Sequence, residues 1–288
     1  MQLDLFAHSR DVMLRNDLLA ALRSRDAPAS EHALAALAAE FPHDPALAPA
    51  RLLAGRLSPD IPPFPTHADA LQTIARLERE TRPAAASLFG EQQAERWLHP
   101  AWHALAHAAA HLPYHPDAPE AHAAPLFLRA RHWCEAEHHA SAIESWRRIP
   151  HPLAWTAEAR FHLHGLDTAW PLLAELAWLD AVRFGDLARR LPSKALTGLL
   201  LQYEREFADT PADHAWFPAW ALLDHPELRT VLQTATTPQR TPQEEACRTL
   251  IRLLALERQG RHADIVEERK RLRALNGELF GLYMQTRT

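Results

Sequence analysis

Residues 126–147 read LFLRARHWCEAEHHASAIESWR, and within them Ala130, Trp133, Ala142 and Trp146 stand three, nine and four residues apart. The same intervals recur as Ala21, Ser24, Ala33 and Leu37 near the start, and as Ile251, Leu254, Ala263 and Glu267 near the end. Two antiparallel helices joined by a turn need such spacing. Small residues let the backbones approach, and bulky ones fill the groove beside them. The pattern therefore describes a stack of helical hairpins, an architecture suited to binding.

The flanking sequence agrees. Apolar residues recur at helical intervals, as in Leu18, Leu19 and Leu22, in Leu34, Leu37 and Phe41, and in Leu71, Ile74 and Leu77. Eight glycines and almost no alternating apolar runs leave little room for a sheet. Asp44-Pro45 reads as a cap followed by a favoured first helical residue. Thr241-Pro242-Gln243-Glu244 adds a glutamate placed to reach back to the cap's amide. The periodicity predicts helices over 9–25, 30–41, 45–57, 67–82, 91–98, 100–111, 120–135 and 138–148. It continues over 152–164, 168–180, 183–190, 194–208, 213–223, 225–235, 242–258, 261–274 and 276–285. Two proline-rich stretches, 58–66 and 112–119, separate them and can form no helix. They divide the chain into an N-terminal hairpin region, 1–111, and a C-terminal repeat region, 120–288, packed as one continuous body.

The three patterns resemble degenerate tetratricopeptide repeats. Glu40 and Pro45 extend the first match, Leu126 the second, and Leu250 with Gln259-Gly260-Arg261 the third. The resemblance covers about a third of the chain, with 67–111 and 168–240 departing from it. The expected fold is all-α, an irregular right-handed stack of antiparallel helix pairs, a tetratricopeptide-like α-solenoid. The opening Met1-Gln-Leu-Asp-Leu-Phe and the run from Trp170 to Trp178 are similar to uncharacterised bacterial helical-repeat proteins, which implies no activity.

Composition narrows the function. Hydrophobic residues form 47% and charged residues 23% of 288, a globular balance, and the net charge of −5 argues against a protein that coats nucleic acid. All 31 basic residues except Lys194 and Lys270 are arginine, a side chain that grips carboxylate or phosphate through a planar fork. Cys134 and Cys247 cannot build a disulfide framework and match no metal spacing. The start carries an acid where a signal peptide carries positive charge. The most apolar run, Trp170 to Val182, contains Glu175 and Asp180 and is too short to cross a bilayer. These features point to a cytoplasmic protein without a membrane anchor and without a cofactor.

No Gly-rich phosphate loop, nucleophile elbow or His-Glu-x-x-His motif occurs. His99, His103, His107 and His111 fall every four residues, so adjacent members on one helix can share a metal; His103, His107 and His111 are the candidates. His162 and His164 are two apart and face different ways on a helix, and Asp167 is placed to cap the helix that carries Trp170. Trp133 and Trp146 hold the bulky positions of the repeat and are expected in its core. Arg129, Arg131, Arg147 and Arg160, with Trp155, remain as candidates for gripping a partner. Arg269-Lys-Arg-Leu-Arg is the one dense basic cluster, preceded by acids that can pair with it.

The leading expectation is a non-catalytic helical-repeat scaffold that binds a protein or peptide in a groove. Two other readings stay open: a nucleic-acid accessory protein using arginine-rich helical faces, and a metal-dependent enzyme at the histidine-rich helix.

Overall fold

The computed structural model describes residues 10–57, 61–236 and 240–287, so the opening Met1–Phe6 stretch and Pro59 of the first linker lie outside the described residues. Every regular element among the described residues is helical. The chain forms two compact units, residues 1–132 and 133–288.

The first unit opens with α1 (Arg10–Ser24) and α2 (Ala27–Glu40), which pack against each other, followed by α3 (Leu47–Ala54). Leu14, Leu18 and Leu22 of α1 and Ala33 and Leu37 of α2 are buried. α4 (His67–Arg76) passes through a wide turn, Leu77–Thr81, into α5 (Arg82–Phe89). This π-type turn absorbs the break that Pro83 would impose on a regular helix, so the expected stop near residue 82 does not occur. α6 (Glu91–Ala109) packs on α5 and on α7 (Ala123–Arg129).

α6 corrects the expected break at Pro100, because one helix runs through the proline. Pro100 removes one backbone donor, but Trp97, Leu98, Ala101, Trp102 and Leu105 around it are all buried, and their packing outweighs the missing hydrogen bond.

The second unit begins with α8 (Trp133–Ser141), a 3-10 turn at Trp146–Arg148, α9 (Pro150–His164) and α10 (Leu166–Leu179). α10 is nearly all apolar, and its residues from Leu172 to Trp178 are all buried. Around it lie α9, α11 (Ala181–Arg190), α13 (Phe217–Asp224) and α14 (Arg229–Leu232), with α12 (Lys194–Glu206) between α11 and α13. The unit closes with α15 (Pro242–Gln259), α16 (His262–Leu275) and α17 (Gly277–Gln285), of which α15 and α17 pack on α13.

No described helix is long and apolar enough to cross a membrane.

The first and third spaced patterns fall on the consecutive helices α1/α2 and α15/α16, with a turn between. The middle one does not. Ala130 ends a helix, Trp133 begins the next, Ala142 follows that helix and Trp146 sits in a 3-10 turn. The helices expected over 120–135 and 138–148 are displaced accordingly. Trp133 is half-buried and Trp146 only partly buried, so neither is the fully enclosed core residue that the pattern implied.

The reason is local. α7 ends in a Schellman turn, in which the amide of His132 donates to the carbonyl of Phe127 and that of Arg131 to Leu128. This turn needs a left-handed residue, and Arg131 supplies it at φ 62°. The same turn closes α1, with Arg25 at φ 56°, and α15, with Gly260 at φ 69°.

Three caps also differ from expectation. Asp44 accepts from the Ala46 amide at 2.8 Å, but the helix that follows starts at Leu47 and not at Pro45. The Thr241 hydroxyl accepts from the Glu244 amide at 3.2 Å, but the Glu244 carboxylate turns to Arg248 at 2.6 Å instead of reaching back. Gly165, not Asp167, precedes α10, leaving Asp167 in the first turn.

Candidate functional site

The second unit buries one carboxylate in its most apolar helix. Glu175 lies between Ala174 and Leu176 on α10 and is 1% exposed. Its Oε1 accepts from the Thr236 amide at 2.7 Å and from the Thr236 hydroxyl at 3.3 Å. Its Oε2 lies 3.5 Å from Nε of Arg147. That separation allows Coulomb attraction, yet neither atom makes a hydrogen bond, because the contact is poorly aligned. Burial raises the Glu175 pKa, against the opposing hydrogen bond from Thr236 and the charges of Arg147 and Arg160.

Arg147 is held from three sides. Glu175 lies beside it, its Nη1 donates to the Thr236 hydroxyl at 3.0 Å, and its guanidinium stands 5.2 Å from the centre of the Trp146 ring. Its side chain keeps 39% exposure. The result is an arginine on an aromatic face, fixed from beneath and open above. α9 adds a second feature. Arg160 pairs with Glu137 at 2.7 Å, and His162 stacks on Trp133 at 3.9 Å with the rings 9° from parallel. Trp155 is buried, leaving 7% of its surface to solvent.

Arg129 and Arg131 belong to the first unit. Arg129 pairs with Glu78 at 2.5 Å and lies 4.6 Å over the Trp102 ring, so much of its capacity is used internally. Arg131 is exposed and serves the α7 turn. Of the four candidate arginines, the fold sets Arg147 beside Glu175, whereas Arg160 pairs with Glu137 and acts on Glu175 through its charge alone.

The histidine stripe resolves into a smaller group. Nε2 of His107 lies 3.1 Å from Nε2 of His103, and the His132 ring lies 4.1 Å from that of His103. His111 is exposed at the end of α6. Burial lowers the His99 pKa, with the charge of Arg131 adding to the effect. Among the described residues, no set of three or more His, Cys, Asp or Glu side chains is placed to hold a metal ion.

The basic cluster is largely paired. Arg269 donates to the Tyr283 hydroxyl at 3.2 Å, Lys270 pairs with Glu267 at 2.8 Å, and Arg271 pairs with Glu245 at 2.7 Å. Cys134 is exposed, whereas Cys247 is buried and its thiol is pushed up to about 12 by burial.

Sequence reasoning missed Glu175, Thr236 and His132. A single glutamate inside an apolar helix was the available signal for the first, because a buried carboxylate needs a partner. Thr236 and His132 meet their partners only through tertiary folding.

No family model, curated protein or solved structure matches this chain.

Proposed function

We propose that the chain is a non-catalytic helical-repeat scaffold, built from antiparallel helix pairs of tetratricopeptide type in an irregular right-handed stack. It binds a protein or peptide partner, with Arg147 and Trp146 as the anchor. The observation that carries this reading is the immobilised Arg147, stacked on Trp146 and backed by buried Glu175. A guanidinium already fixed loses little side-chain entropy on binding, and arginine and tryptophan are the residue types that concentrate interface energy. The fork matches a carboxylate or backbone carbonyl of a peptide. The pairing of Arg269, Lys270 and Arg271 leaves the nucleic-acid reading with less free charge to draw on.

The test is recovery of a stoichiometric partner by the full chain from an extract of its source cells, followed by titration with the purified partner. Arg147→Lys keeps the charge but loses the fork and should weaken binding about tenfold or more. Trp146→Ala should do the same. Binding that both variants retain, or retention abolished by nuclease, would overturn the proposal.

A further inference from the structure

We infer that His103 and His107 form a two-histidine chelate for a borderline divalent transition ion such as Cu2+ or Ni2+. Both residues project from α6 one helical turn apart, and their Nε2 atoms face each other at 3.1 Å. A metal–imidazole bond of about 2.0–2.1 Å sets neighbouring nitrogens about 2.9 Å apart at a right angle and about 3.3 Å apart at the tetrahedral angle. The observed separation lies between the two. An ion about 2.05 Å from each nitrogen therefore fits with only a tilt of the rings.

The rings are held in this relation by their neighbours. His107 and His103 meet edge to face at 4.4 Å between centroids. Phe127 presents its ring to both, at 5.3 Å from His107 and 5.9 Å from His103. His132 covers His103 at 4.1 Å and acts as a positioning residue. The Schellman turn at Arg131 puts His132 there. His107 is exposed, so the ion has a path from solvent.

Only two protein ligands converge, so water or an outside ligand completes the coordination. Such a site exchanges its ion and favours Cu2+ over Ni2+ and Zn2+ by the usual order of affinity for nitrogen ligands. In the unloaded pair one Nε2 donates to the other. Loading needs both in the acceptor tautomer, so the hydrogen bond is exchanged for two metal bonds. Protons compete for the same atoms, and binding weakens as the solution is acidified.

The experiment titrates Ni2+ and Cu2+ by calorimetry into untagged full-length protein at a pH of about 7.5, where free imidazole is neutral. One saturable site is expected, weakened at least about tenfold by His103→Ala and by His107→Ala. His111→Ala, in the turn just beyond α6, should leave it unchanged, and His132→Ala should weaken it less than either ligand variant. The Cu2+ paramagnetic resonance spectrum of the intact protein should carry coupling to two imidazole nitrogens. This readout needs no variant to fold. Absence of saturable binding, affinity in both ligand variants unchanged from that of the unsubstituted protein, or a spectrum without nitrogen coupling overturns the inference.

Discussion

Arg25 and Gly260 occupy the same place in two hairpins. Each is the left-handed residue of a Schellman turn, one after α1 and the other after α15. Glycine adopts that conformation without steric penalty, whereas an L-residue with a side chain pays about 1–2 kcal/mol. Arg25 returns the cost through its side chain. Its guanidinium donates to the carbonyls of Trp97 at 3.0 Å, Arg56 at 3.1 Å and Leu57 at 3.0 Å, and lies 4.6 Å over the Trp97 ring. Trp97 in turn donates from its indole to the Leu22 carbonyl at 2.8 Å. The first hairpin is thus fastened at its turn to the end of α3 and to α6. Among the described residues, the second has no such clasp at its turn; like the first, where Arg10 pairs with Glu40 at 2.7 Å, it is fastened along its length. Arg252 pairs with Glu268 at 3.0 Å, Arg271 with Glu245 at 2.7 Å, and Arg269 approaches Glu257 at 3.7 Å. One turn geometry thus serves as a bare bend or as a structural fastening, depending on what occupies its left-handed position.

The largest test bears on how little α16 buries. Ile265 and Leu272 are its buried residues, and Leu272 is fully enclosed. Leu272→Ala should cost about 3 kcal/mol, in the usual range for such truncations. Amide exchange should accelerate first in α16 and α17. Uniform acceleration across the unit would show that the second hairpin is not a separable weak point.

Arg25→Gly makes the first turn like the second. It relieves the backbone but removes hydrogen bonds from a charged donor, and should destabilise by about 2 kcal/mol in urea unfolding. A gain in stability would mean that the side chain is incidental.

Gly260→Ala should cost about 1 kcal/mol. Nothing lies within 4 Å of an added Cβ there, so the loss measures backbone conformation alone. A neutral result would remove the basis for treating the two turns as equivalent.

The smallest effect is expected for Glu245→Ala, which removes the shared partner of Arg252 and Arg271. It should cost under about 1 kcal/mol at low salt and vanish at about 1 M salt, since partly exposed pairs are screened. A cost that persists in salt would make the ion pairs tighter than their exposure suggests.

The helical class was legible because apolar spacing over α1, α2 and α15 needs no tertiary context. The turn at Gly260 was also legible, since glycine after a helix marks its end. Arg25 and Arg131 gave no such signal. Arginine is an ordinary helix former, and nothing in its side chain marks a left-handed position. That concealment displaced the predicted helices around residues 130–146. Pro100 misled in the other direction, because burial of its neighbours outweighs one missing donor. For the site, Arg147 and Arg160 were visible as residue types. The approach of Arg147 to Glu175 depends on how the turn before α9 packs against α10, which no local pattern encodes.

The two cysteines have a practical consequence. One thiol stands open at the beginning of α8, while the other is enclosed in α15 with its ionisation suppressed. A thiol-reactive fluorophore or spin label will therefore attach at Cys134 and spare Cys247. The natural chain carries a single addressable handle close in sequence to Trp146 and Arg147, and it needs no engineered cysteine.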